Sequence, residues 1–434
     1  MKKIFLVIGL SLGSIAHIAW SDTLIDVYNE ARRSDPSLLS AEAKKKAAHE
    51  AIHSMRSTLL PQVDLLSDYS LSFNGSNREE SRFTGSALLK QVVYDQSGWI
   101  KLDTAEKQAR KADAEYAVAQ QELILHVAEA YFGVLRAKHN LKYIKSEKSA
   151  LGRRLVHAKE KFAAGLSEII DVSNAQAQYD SALAHEVSAE SIVVNRYGAV
   201  REMTGVVHGD LKELDNERFL SMQTDQPRDL INAAQKSNFS LLSARISQEI
   251  ARDGIKLANS AHGPTVLLSI GYSYHNGGKS GTDSNHSLSD SEQSCVGISV
   301  SLPLYKGGKV LSNSRQAEFE LMEADQAMER ASRGVVRKIQ AYQNDINTSL
   351  SAIKAYSQAA LSANSVLEAT KSRFEVGMRT DLDVLDAIRR AYDAERQFSD
   401  VCYSYVIALL NLKASIGILN QQDFFEVDAS VADR

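Results

Sequence analysis

Three carboxylates crowd the stretch Arg379-Thr380-Asp381-Leu382-Asp383-Val384-Leu385-Asp386, directly after Gly377-Met378. Asp381, Asp383 and Asp386 are the candidates for charge chemistry. Two kinds of chemistry fit. Acids in a first helical turn favour the positive end of the helix dipole and cap it. Around a symmetry axis the same residues would form rings of like charge, which raises carboxylate pKa values and draws cations. Nothing in the chain reads as a catalytic constellation. The eleven histidines show no metal-ligand spacing, and no Ser/His/Asp pattern stands out. Gly307-Gly308 follows a strand pattern but lacks the later glycine and the Lys-Ser/Thr of a phosphate loop, so it reads as a strand-to-helix bend. The residues point away from an enzyme, and neither cofactor nor metal is expected.

The elements that carry these acids begin after a processing signal. Met1-Lys2-Lys3 is basic, Ile4 to Ile18 is almost unbroken apolar, and Ala19-Trp20-Ser21 places small residues before a cut at Asp22. Residues 1–21 are therefore read as a signal peptide, and the run is too short for a membrane anchor, which needs roughly 20 apolar residues. The exported remainder has very few prolines, five in 434 residues, which permits very long helices. Net charge is −4 with acids and bases well mixed, so no nucleic-acid partner is expected. Cys295 falls in a strand pattern and Cys402 in a helix pattern, so the two are read as unpaired.

The remainder is two copies of one unit. Ser34-Asp35-Pro36-Ser37-Leu38-Leu39-Ser40-Ala41 realigns with Ser237-Asn238-Phe239-Ser240-Leu241-Leu242-Ser243-Ala244, and Pro61, Val63, Leu65 and Tyr69 meet Pro264, Val266, Leu268 and Tyr272 at the same spacing. Further on, Phe162, Gly165, Asp171 and Gly205 meet Phe374, Gly377, Asp383 and Gly417. The first repeat covers 22–215, with a short helix over 22–58, strands about 61–75 and 84–94, and long helices about 99–162 and 168–205. The second covers 222–418, with a short helix over 227–260, strands about 264–276 and 295–305, and long helices about 309–374 and 380–417, leaving a tail at 419–434.

Val63, Leu65, Tyr69, Leu71 and Phe73 alternate with polar residues, as do Val266, Leu268, Ile270, Tyr272 and Tyr274, and then Val296, Ile298, Val300, Leu302 and Leu304. Such strands suit a half-buried sandwich or a transmembrane barrel. A membrane sheet cannot leave its edges open in hydrocarbon, and a single-chain barrel needs about eight strands, so four strands per chain demand assembly. Two copies would fill their own lumen with side chains; three would enclose water. The polar hairpin loops at Gly75 to Arg82 and Gly277 to Ser294 suit solvent. Apolar and small positions then step by threes and fours from Leu102 to Ile144 and from Val384 to Leu412, which are packing seams for long helices. The fold class expected is mostly α with a transmembrane β portion. The competing reading is an exported structural coiled coil or adhesin-like stalk with no pore.

With strand pairs, paired long helices and two copies in one exported chain, the sequence resembles the TolC family of outer-membrane efflux proteins. The resemblance rests on Tyr94-Asp95-Gln96-Ser97-Gly98-Trp99, Leu302-Pro303-Leu304-Tyr305-Lys306-Gly307-Gly308 and the turns Lys161-Phe162-Ala163-Ala164-Gly165-Leu166 and Arg373-Phe374-Glu375-Val376-Gly377-Met378-Arg379-Thr380. It implies a homotrimer: a twelve-strand β-barrel in outer-membrane lipid, continued by a twelve-helix α-barrel into the periplasm. It also implies a periplasmic adaptor and a proton-driven or ATP-driven inner-membrane pump as partners, in multidrug efflux or type I secretion. Asp383 and Asp386 match the family's carboxylate rings at the periplasmic constriction. Arg379 matches its latch arginine and Asp171 an acceptor of that latch. Phe374 and Ile170 stand where hydroxyl-bearing residues are found, so two latch hydrogen bonds are missing. Gly165, Leu166, Gly377 and Met378 would form the tips that meet the adaptor.

Overall fold

The computed structural model describes residues 22–74, 78–213, 229–277 and 290–428. The expected signal peptide, residues 1–21, lies outside them. The first half runs α1 (Leu24–Ser34), α2 (Pro36–Ser57), β1 (Gln62–Asn74), β2 (Arg78–Asp95), α3 (Gln96–Ala163) and α4 (Ile169–Thr204). The second repeats the order as α5 (Leu230–Ser237), α6 (Phe239–Ser260), β3 (Thr265–Gly277), β4 (Ser291–Ser301), α7 (Lys309–Glu375) and α8 (Asp381–Ile416), followed by α9 (Gln421–Asp428).

Each opening helix is broken in two, where one unbroken helix was expected. Asp35 ends α1 and caps α2 by accepting from the Leu38 N–H at 2.8 Å, with Pro36 at the first helical position. Asn238 does the same between α5 and α6, accepting from Leu241 N–H at 2.9 Å. A short polar side chain that captures backbone donors competes with helix continuation, and proline cannot donate backward.

The four strands form one antiparallel sheet in the order β1-β2-β3-β4. Residues paired directly across share a face. Val63 pairs Leu89 and Leu65 pairs Ala87; Leu89 then meets Ile270 and Ala87 meets Tyr272; Ile270 meets Val296, Leu268 meets Ile298 and Val266 meets Val300. The apolar positions thus align into one continuous face, and it is uncovered: Leu65 is 83 % exposed and Val296 74 %. The opposite face carries Asp64 with Lys90 at 3.6 Å and Thr84 hydrogen-bonded to His275 at 3.1 Å.

Two strand ends differ from expectation. β4 occupies 291–301 rather than 295–305, because Ser301 pairs Thr265, the first residue of β3, and Pro303 has no N–H to extend the ladder. Leu302 and Leu304 therefore lie beyond it. β2 starts at Arg78, paired with Asn74, so only 75–77 lie between β1 and β2, not the loop expected to Arg82. Most of the expected loop from Gly277 to Ser294 falls outside the described residues.

α3 and α7 span 68 and 67 residues without proline, which is about 100 Å each. α3 pairs with α4 and α7 with α8 as helical hairpins. The core sits midway along them, where α1, α5 and α9 wrap the long helices. There Phe132 stacks on Tyr403 at 5.2 Å and 13°, and both are nearly solvent-free. Replacing Phe132 by alanine would cost about 3–5 kcal/mol. Leu419, Phe424 and Val427 of the expected tail belong to this core, with Phe424 5.2 Å from Tyr28. Cys295 is exposed and Cys402 buried, both free, and burial pushes the Cys402 thiol up to about 11. Among the described residues no helix is long and apolar enough to cross a membrane.

Candidate functional site

Both long hairpins turn by the same device. At the end of α3 the Leu166 N–H donates to Lys161 C=O at 2.8 Å and Gly165 N–H to Phe162 C=O at 2.9 Å. At the end of α7 Met378 N–H donates to Arg373 C=O at 2.9 Å and Gly377 N–H to Phe374 C=O at 2.9 Å. These are paired six-to-one and five-to-two bonds, which require a left-handed residue. Gly165 at φ 72° and Gly377 at φ 74° supply it. The turns leave Leu166 78 % and Met378 76 % exposed, with Ile170, Phe374 and Val376 also open to solvent.

The carboxylates follow at once. Thr380 caps α8, and Asp383 answers it: its Oδ2 accepts from Thr380 N–H and from Thr380 Oγ1, each at 2.9 Å, while Asp383 N–H donates to Thr380 Oγ1 at 3.3 Å. The backbone and hydroxyl donors of Thr380, aided by the charge of Arg379, hold the Asp383 carboxyl below its ordinary value. Within one copy the shift is thus downward, opposite to the rise a ring of like charges would bring. Capping and charge display are compatible here, because capping engages Oδ2 and leaves Oδ1 3.8 Å from Arg379 Nη1. Asp386 is exposed one turn on and lines an open cavity of about 500 Å³ with Tyr143, Arg389, Arg390, Asp393 and Arg396. The side chain of Asp381 lies outside the described ones.

Asp171 occupies the same position in α4 that Asp383 has in α8, but Glu168 stands where Thr380 caps, so Asp171 accepts from Ser167 Oγ at 2.7 Å instead. Among the described residues no ion pair joins Arg379 to Asp171 within one chain; Arg379 leans on its own helix. Sequence reasoning passed over Tyr143, Glu147 and Arg389. They meet across α3 and α8, a juxtaposition that depends on the register of two distant helices, and no local motif signals it.

With two hairpins, one sheet and an acidic helix start in hand, the comparison with known proteins is direct. Residues 27–206 and again 230–418 match the family described as outer membrane efflux protein. The chain belongs to that family. Outer membrane protein TolC of Vibrio cholerae is 45 % identical over 99 % of this chain and 99 % of its own length. Outer membrane protein TolC of Escherichia coli K12 is 39 % identical over 100 % of this chain and 90 % of its own. Among solved structures the Campylobacter jejuni CmeC outer membrane channel superposes with a TM-score of 0.73 at 17 % identity, covering 100 % of this chain and 98 % of that one, a likeness of fold. This outer membrane efflux protein therefore has the mostly helical channel fold, with one family match in each of its two halves.

Proposed function

We propose that three copies of this chain close into a passive exit duct through the outer membrane, serving efflux or type I secretion. Each copy contributes four strands to a twelve-strand barrel and four long helices to a twelve-helix tunnel reaching into the periplasm. The observation that carries this is the sheet. Among the described residues β1 and β4 are unpaired edges and the aligned face of Val63, Leu65, Ile270, Val296 and Ile298 is uncovered. A sheet with an apolar outer face and two open edges is stable in lipid only when neighbours complete it.

In this arrangement Asp383 and Asp386 ring the periplasmic entrance and attract cations, Arg379 reaches the neighbouring hairpin near Asp171 and keeps the entrance shut, and the exposed tips at Gly165-Leu166 and Gly377-Met378 receive a periplasmic adaptor with its inner-membrane pump. Phe374 and Ile170 give this latch apolar contact without hydroxyl bonds. No step of chemistry is required of the chain; its work is to admit, enclose and release. Imaging detergent-solubilised protein tests the reading. A threefold particle with a long hollow stem is expected, and a stable monomer in plain buffer with no affinity for bilayers would refute it.

A further inference from the structure

α8 leaves the tip lying against α3, and the two helices run antiparallel, so their side chains meet in a fixed order. Ascending from the tip, Leu385 lies with Ala150, Arg389 with Glu147, and Tyr392 with Tyr143. Each step is three or four residues on both helices, the spacing of two facing stripes. Leu385 is 8 % exposed within a small apolar cluster of Ala150, Leu151 and Ala182, separate from the main core. Arg389 Nε donates to Tyr143 Oη at 3.3 Å and lies 3.5 Å from Glu147 Oε1. Tyr392 sets its ring edge to Tyr143 at 6.4 Å and 67°. The seam between these side chains leaves a void of only about 10 Å³.

On the α7/α8 hairpin this patch is also the lowest one. Tipward of Leu385, none of the described side chains of α7 after Ala360 or of α8 is buried. Among the described residues the α7/α8 hairpin is therefore held to α3 from Leu385 upward, with no buried contact below it. Apolar contacts such as Leu385 on Ala150 tolerate sliding, whereas a guanidinium shared between a phenol and a carboxylate is directional and fixes both the approach and the rotation of the helix.

We propose that Arg389 is the positioning residue of the closed entrance: by bridging Tyr143 and Glu147 it ties the α7/α8 hairpin to α3, and the bridge must break before that hairpin swings aside. This rests on the duct reading above and adds an internal restraint, one per copy, to the contact between copies at Arg379. Tyr143 and Glu147 also keep the guanidinium firmly charged, raising its pKa further. An exposed ion pair of this kind shifts an equilibrium about twofold, and three acting together shift it on the order of tenfold.

The test is single-channel recording of purified trimers in planar bilayers, reading the fraction of time spent fully open. Arg389→Gln and Glu147→Gln are each expected to raise it about tenfold. The exchange Arg389→Glu with Glu147→Arg should return it toward the wild-type value. Tyr143→Phe removes only the hydroxyl and should raise it less. If Arg389→Gln fails to assemble, Tyr143→Phe and the exchange carry the same test. Wild-type channels that conduct while every variant gates identically would overturn the tie and leave the duct reading standing. Wild-type protein that forms no pore would refute the duct reading and the tie with it.

Discussion

Asp253 offers a sharp test of how α6 is held to the sheet-side end of α3. It lies on α6, is 2 % exposed, and receives two lysines: Lys107 of α3 bonds one carboxylate oxygen and Lys256 the other at 2.8 Å. Lys107 is itself 18 % exposed and also bonds Asp103 at 2.8 Å. Breaking a buried pair by removing one partner costs about 3–5 kcal/mol. In Asp253→Asn the amide oxygen still accepts a bond and Asp103 still holds Lys107, so about 2–3 kcal/mol is expected. At this chain length that lowers the melting temperature by on the order of 5 °C. The pH dependence carries its own sign. Burial alone would raise the Asp253 carboxyl, but the bonds from Lys107 and Lys256 outweigh it and the net shift is below 3.8. A depressed carboxylate stabilises above its ordinary value and loses that contribution as pH falls through the lowered one. Lys107, lowered by burial but raised more strongly by Asp103 and Asp253, ends above 10.5, so its contribution holds at neutral pH and is lost only in strong alkali. The gap in melting temperature between wild type and Asp253→Asn should therefore be flat through neutral pH and close below the carboxylate range. Replacing both partners with Lys107→Met and Asp253→Leu should restore much of the stability. A single variant as stable as wild type at pH 7, or a gap that persists in acid, would refute the reasoning.

Three further outcomes follow from the tips and from the contact of α8 with α5. Asp383→Asn with Asp386→Asn should abolish block of single-channel current by multivalent cations, while asparagine retains an oxygen for the Thr380 cap; unchanged block removes these residues from the entrance. Arg379→Ser should raise resting conductance in a bilayer, and no change would place the closed-state restraint elsewhere. Gly417→Ala puts a methyl at φ 90° against the backbone carbonyl of Ser237. A left-handed residue alone costs roughly 1–2 kcal/mol and the overlap adds to it, so a clear fall in melting temperature is expected and a wild-type value would contradict the close approach.

What could be read from the chain alone depended on whether the signal was local. Alternation in Val63, Leu65, Tyr69 and Leu71 was visible because a face open to its surroundings imposes a period of two. The long helices were visible because so few prolines interrupt them. The breaks at Asp35 and Asn238 were written as capping residues, yet periodicity runs across them and conceals them. The end of β4 at Ser301 depended on where β3 begins, at Thr265, and Pro303 was its local mark. At the tips, Gly165 and Gly377 announced themselves by spacing, whereas within the seam read from Val384 to Leu412 the exposed Glu395 accepts from Asn364 Nδ2 at 2.9 Å. The Arg389 bridge was out of reach, because residues 143, 147 and 389 acquire meaning only once α3 and α8 are laid side by side.

The open borders of the sheet come from different halves of the chain, β1 from the first and β4 from the second. A ring built from them joins unlike borders, so every subunit serves two neighbours at once and none is spare. A subunit spoiled along β4 still offers a sound β1 and is still recruited. In the proposed trimer, cells producing both forms would keep intact pores only in proportion to the cube of the sound fraction, and such a lesion would be genetically dominant.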